Sequence, residues 1–260
     1  MLCWEVMDSL SELAPFEYAE DWDNVGLLVG RPDKEISKIF IALDATDEVI
    51  EDAKRSGADM LLTHHPLIFS PVKKVVGDDF IGRRILELAR SDIAYVAMHT
   101  NFDIMGMADA AADELSLDHA DVLHITFEDD IAKAGLGRVG ELPREMTLRE
   151  LADTVKLAFH VPNVRIFGEA DTIVSTVAIL PGSGKSCIDD AIESGAQVFI
   201  TGDIDHHTGI DALSRGLCII DAGHYGIEKL FMPYMKEYIQ RNMKSVRVEL
   251  ANVSEPFAVV

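Results

Sequence analysis

Apolar and polar positions follow two rhythms along this chain, and each change of rhythm marks an element. The opening CWEVMDSLSELAP sets Val6, Leu10 and Leu13 on one helical face, and Pro15 closes it. After the turn residues of DWDNVG comes a short apolar run ending at Gly30. KIFIALDAT then reads as a strand. DEVIEDAKRSG reads as a helix, with Asp47 and Glu48 suited to its first turn and Gly57 to its C-cap. ADMLLT is a second strand and delivers His64 and His65 at its end. The loop HPLIFSPVKKVVGDD leads to a helix over 80–89, the strand IAYVAMH, the segment TNFDIMG and a helix over 107–114.

The rest continues in kind. ADVLHITF is a strand, GLGRVG a glycine-rich connection, and TLRELADTVKLAF a helix whose Thr147 and Glu150 have the spacing of a capping box. NVRIFG and TIVSTVAILPG read as strands. They are followed by helix KSCIDDAIESG, strand AQVFITG, helix HHTGIDALSRG, strand LCIIDAG and helix YGIEKLFMPYMKEYIQ. SVRVEL closes the core as a last strand, and ANVSEPFAVV reads as a tail. Strands alternating with helices predict α/β layers with mostly parallel sheets.

One pattern outweighs the single elements. IFIALDATDEVIEDAKRSGADMLLTHH and STVAILPGSGKSCIDDAIESGAQVFITGDIDHH share one order: strand, turn, helix ending in Ser-Gly-Ala, strand, Thr, histidine pair. The continuations match too, reaching HTNFD in one copy and GHYGIE in the other. An internal duplication of one α/β unit follows, each copy carrying its own insertion. The expected domains are residues 1–120, holding His64, His65 and Asp103, and 121–260, holding His224 and Glu228. The boundary is left open, with the C-terminal segment free to pack back on the first unit.

Bulk composition narrows the classes. The 260 residues suffice for one large or two small domains, and 48% apolar with 26% charged residues is globular composition. Twenty-three basic against forty-five acidic residues leave a net charge of -22, which argues against nucleic acid or anionic membrane as a partner. Cys3, Cys187 and Cys218 lie far apart without the paired spacing of zinc or disulfide frameworks, and read as buried thiols. With no signal-peptide pattern and no apolar run long enough for a span, the expectation is a cytoplasmic protein without membrane contact.

In parallel α/β sheets, ligands bind beyond the carboxyl ends of the strands. His64 with His65, His99 with Asp103, Asp203 with His206 and His207, and His224 with Glu228 all fall at such ends. His224 and Glu228, four apart at a helix start, share one face and can chelate one ion, and Asp103 is suited to bridging two. Imidazole and carboxylate suit zinc, manganese or iron. Five groups, His64, His65, Asp103, His224 and Glu228, do not saturate two ions, so open positions for water are expected, with the metal site in the cleft between the two units. His206 and His207 fit an outer role. His119, His124 and His160 read as structural or solvated. PGSGKS resembles a phosphate loop but has Ile179 where the first glycine belongs. It reads as a turn into a helix, with Lys185 near enough to meet an anion.

WDNVGLLVG, THHPLIF, HTNFD, TGDIDHH and GHYGIE, in this order, resemble the NIF3-like family, often labelled GTP cyclohydrolase 1 type 2 homologues. The resemblance spans nearly the whole chain, in a short form without the long insert that some relatives carry between the halves. It implies two related three-layer α/β units and a dinuclear centre of two divalent ions on His64, His65, Asp103, His224 and Glu228. It also implies a ring-shaped homohexamer, a trimer of dimers. Asp203 departs from the glutamate usual in the family, and PGSGKS from a glycine-richer turn. The named candidate activity is metal-dependent hydrolysis of a nucleotide-like substrate, with ring opening of GTP by metal-activated water. His99, His206 or His207 would serve as proton shuttle or outer partner. Two readings stay open beside it: a binding or regulatory protein holding a nucleotide or other anionic small molecule without turnover, and an oligomeric scaffold.

Overall fold

The computed structural model describes residues 1–129, 131–252 and 255–258, so part of the expected tail lies outside the described residues. The backbone divides into two compact units: Met1–Phe102 together with the segment from Phe231, and Asp103–Leu230. Asp103, expected in the first unit, thus opens the second.

With elements numbered along the chain, the first unit contains α1 (Cys3–Leu13), β1 (Gly26–Val29), β2 (Lys38–Ala42), α2 (Asp47–Ser56), β3 (Met60–Thr63), α3 (Phe80–Arg90), β4 (Ala94–Ala97), the single turn α4 (Thr100–Phe102), α10 (Phe231–Asn242) and β11 (Arg247–Leu250). Its sheet runs β1-β4-β3-β2-β11, parallel throughout except at the β1–β4 edge. The last strand returns to pair Arg247 to Leu250 with Lys38 to Ile41. Alternate strand residues are buried on both faces: Phe40, Leu61 and Tyr95 pack with α2 and α3 residues, while Ile39, Ile41, Leu62 and Val96 are buried on the other side. Thr46 caps α2, and Gly57 ends it in a left-handed conformation at φ 69°.

The second unit contains α5 (Ala108–Glu114), β5 (Asp118–Glu128), β6 (Lys133–Thr147), α6 (Leu148–Ala158), β7 (Arg165–Phe167), β8 (Ile173–Ser183), α7 (Ile188–Glu193), β9 (Val198–Gly202), α8 (His206–Ser214), β10 (Cys218–Asp221) and α9 (His224–Glu228). Its sheet runs β5-β6-β8-β9-β10-β7. Only β8–β9 and β9–β10 are parallel, so this sheet is mixed where a mostly parallel one was expected. One face packs Val177, Ile179, Val198 and Ile200 against α5, α6 and α9, and the other packs Ala178, Leu180, Phe199 and Ile219 against α7 and α8. The duplication is plain in this topology. The parallel run β2-α2-β3-α3-β4 in one unit corresponds to β8-α7-β9-α8-β10 in the other, with the histidines following equivalent strands.

Two further expectations need correction. GLGRVG is not a connection but part of the fifteen-residue strand β6. Its glycines answer a close approach: a Cβ on Gly135 would lie 1.9 Å from the His124 carbonyl oxygen. The helix expected across 225–240 is broken into α9 and α10, because Pro233 has no N–H to give to the carbonyl of Lys229 and sits instead in the first turn of a new helix.

Candidate functional site

In the first unit, three sequence blocks are joined by hydrogen bonds into one assembly. β3 ends on Thr63 and is followed directly by His64, both fully buried. The turn that follows is pinned by Tyr95 from β4. Its hydroxyl accepts from the Leu67 N–H at 2.7 Å, and both it and the Thr63 hydroxyl reach the His65 carbonyl, at 3.0 and 2.8 Å. Burial pushes the Tyr95 phenol up to about 12, so it remains neutral and able to donate. Asp23, from WDN, accepts from His99 Nδ1 at 2.9 Å and from the Thr100 N–H and hydroxyl at 3.0 and 2.6 Å. The neighbouring Asn24 side chain donates to the Ile68 carbonyl at 2.5 Å. Burial alone would raise the Asp23 carboxyl, but the bonds from His99 and Thr100 and the His99 charge hold it at about 2.

The product of this scaffold is a cluster of three imidazoles. His64 and His65 lie with ring centroids 4.9 Å apart, and His99 stands edge-on to both at 5.1 and 5.5 Å. Each ring offers a nitrogen within 4.8 Å of the others. In all three, Nδ1 faces an acceptor: the Met98 carbonyl for His64 at 2.8 Å, Asp44 for His65 at 3.0 Å, and Asp23 for His99. An Nδ1 that donates leaves the lone pair on Nε2, which is the tautomer a metal ligand needs.

The second unit repeats this device. His224 opens α9 directly after Gly223, and its Nδ1 lies 2.8 Å from the Asp203 carboxylate. Its Nε2 is 3.1 Å from Oε2 of Glu228, one turn along the same helix. A lone pair facing a carboxylate at that distance requires a proton or a cation between them. Glu228 is buried, and β8 comes so close that a Cβ on Gly182 would lie 2.2 Å from its Oε1. The PGSGKS glycine is therefore placed to let a carboxylate in. Lys185 is held by Asp205 at 2.5 Å. Asp103 begins a five-residue π-helical segment, a distortion often found at functional positions, and its Oδ1 is shielded from solvent. His206 and His207 are exposed at the start of α8, with their rings 5.3 Å apart.

The donor sets fit divalent ions of the zinc, manganese or iron class. In the first unit three imidazoles have Nδ1 engaged and Nε2 left to bind, and in the second unit His224 does the same beside the buried carboxylate oxygen of Glu228. Asp44, Asp23 and Tyr95 had no assigned role in the sequence reading. Asp44 was detectable as a carboxylate at the end of a strand, whereas Tyr95 looked like one more core residue.

A profile of the Duf34/NIF3 (NGG1p interacting factor 3) family matches residues 1–256. The chain belongs to the Duf34/NIF3 family. Among its relatives, the GTP cyclohydrolase 1 type 2 homolog of Clostridium perfringens is 36% identical over 243 residues, which cover 93% of this chain and 92% of that one. Among solved structures, a Bacillus cereus protein related to NIF3 superposes with a TM-score of 0.94 at 25% identity, covering 100% of this chain and 99% of that one. Reduced HcgD from Methanocaldococcus jannaschii gives 0.84 at 32% identity, with 97% and 98% covered. This Duf34/NIF3 protein is thus a metal-binding candidate on two grounds, family and ligand geometry.

Proposed function

We propose that His64, His65, Asp103, His224 and Glu228 together hold two divalent ions, and that the protein is a metal-dependent hydrolase acting on a nucleotide-like substrate. The observation that carries this reading is the repeated orientation of imidazoles, with Nδ1 engaged by a backbone carbonyl or a carboxylate so that Nε2 is the ligand atom. Bound there, two ions would acidify a water and polarise the group under attack.

The side chains of the chain supply the rest. Asp44 and Asp203 orient their histidines and offset the charge of the ions. His99, oriented by Asp23, can take up or deliver a proton at Nε2. His206 and His207 are proposed as outer proton carriers because both imidazoles are exposed side by side at the start of α8. Trp22 and Phe69 lie 5.8 Å apart, each about half exposed, and Trp22 is edge-on to His99 at 5.9 Å. Exposed aromatic faces beside a histidine cluster suit a planar base. The name carried by the Clostridium relative makes GTP the first substrate to try. Incubation of the metal-loaded protein with GTP and Mn, Fe or Zn, read for formate, tests the cyclohydrolase form. Absence of turnover with every metal would remove it and leave metal-dependent binding as the function. The ring-shaped hexamer goes with this proposal on family resemblance, and light scattering of the purified protein checks it.

A further inference from the structure

A second group of side chains with metal-ligand chemistry, His124, Cys187 and Asp190, lies in the second unit and shares no residue with the five proposed ligands. Among the described residues β5 is the edge strand of its sheet, paired with β6 and mostly exposed, with Leu123 its one buried side chain. Beside Leu123, His124 turns toward the start of α7, and its Nδ1 lies 3.1 Å from Oδ1 of Asp190. Cys187 sits three residues before Asp190, immediately ahead of α7, so that both occupy one side of the same helical turn. One donor atom from each of His124, Cys187 and Asp190 falls within 4.8 Å of the other two. Ligands around a tetrahedral zinc ion stand roughly 3.3–3.8 Å from one another, so small side-chain shifts suffice to close on an ion.

Burial is graded in the same sense. Cys187 is 3% exposed and packs among core residues, whereas the His124 and Asp190 side chains are 43% and 31% exposed. The thiol therefore forms the floor and the other two ligands the rim, with one side open to water.

We propose that His124, Cys187 and Asp190 form a zinc(II) site with three protein ligands and a water in the fourth position. The mixed sulfur, nitrogen and oxygen set selects zinc over manganese or magnesium, because thiolate is a soft donor. Its consequence for the fold is a cross-link. The long β5–β6 hairpin has little apolar anchorage at its outer strand, and the ion ties that strand to α7. Binding displaces the thiol proton to solvent, so the ion is taken up with release of one proton from sulfur.

The test uses the full-length protein stripped of metal and titrated with Co(II) under inert atmosphere. The five-ligand set contains no sulfur, so a near-ultraviolet thiolate-to-cobalt charge-transfer band separates a thiolate site from it. The expected result is a band that rises to one equivalent per chain, is bleached by zinc, and persists in a His64→Ala, Glu228→Gln variant. Cys187→Ser should abolish it. Because that position is in the core, His124→Gln and Asp190→Asn, which keep the thiol, provide the second arm and should weaken Co(II) binding at least about tenfold. No band in excess cobalt would overturn the proposal. So would a band that survives Cys187→Ser, which would point to Cys3 or Cys218, or one whose affinity ignores both rim substitutions.

Discussion

Gly182→Ala separates ligand placement from fold stability, because the added methyl group meets the end of a side chain and not backbone. Its Cβ would stand 2.2 Å from Oε1 of Glu228. Ordinary contact begins near 3.4 Å, so the carboxylate has to withdraw by about 1 Å. Glu228 can swing away, and the clash itself adds little to the cost of folding. What remains is the backbone: Gly182 has φ 76°, and alanine there costs on the order of 1–2 kcal/mol. For a chain of this size that corresponds to a fall in Tm of about 2–8 °C. Metal binding is far less tolerant, since ligand distances hold to within about 0.2 Å. A carboxylate displaced by 1 Å is lost as a ligand, with affinity at the His224–Glu228 pair reduced at least about 10–100-fold. Circular dichroism melts and competition with a chromophoric chelator read the two effects separately. Glu228→Gln should reproduce the affinity loss without the drop in Tm that comes from backbone strain. Wild-type metal affinity in Gly182→Ala would refute the placement of Glu228 as a ligand held by β8.

Three other substitutions or conditions test neighbouring parts of the account. Tyr95→Phe removes the acceptor for the Leu67 N–H and should destabilise the protein by about 1–3 kcal/mol in urea unfolding, while also weakening metal binding through the loosened His64–His65 turn. The Asp23 carboxyl is held at about 2 against a reference of 3.8, so its stabilising contribution is present above pH 4. That contribution, about 2 kcal/mol, should be lost as pH falls from 4 to 2. Asp23→Asn should flatten that part of the stability profile. Trp22→Ala should raise KM for a purine nucleotide several-fold and leave metal stoichiometry unchanged, and an unchanged KM would remove Trp22 from the substrate surface.

Much of this was legible in the chain because duplicated α/β units announce themselves by repeated strand–helix rhythm. The Ser-Gly-Ala helix ends and the histidine pairs after β3 and β9 survived as visible marks of the repeat. The glycines of β6 misled, because a residue that permits close approach between strands looks the same in sequence as one that permits a turn. Pro233 was the neglected sign that α9 and α10 are separate helices. At the candidate site, the histidine and carboxylate residue types and their strand-end positions could be read directly. Their orientation could not, because it depends on Asp44, Asp23 and the Met98 carbonyl, which lie far from the histidines they hold. Cys187 shows the same limit. Its sulfur is buried, as expected, yet a ring nitrogen of His124, sixty-three residues away on an edge strand, lies within 4.8 Å of it.

The central claim, that five side chains hold two divalent ions, is tested most directly by anomalous diffraction from crystals grown with Mn(II), an ion that a thiolate site does not favour. Two manganese peaks per chain are expected, each within bonding distance of ligands drawn from His64, His65, Asp103, His224 and Glu228. No peak at these residues, or manganese bound only elsewhere, would contradict the account.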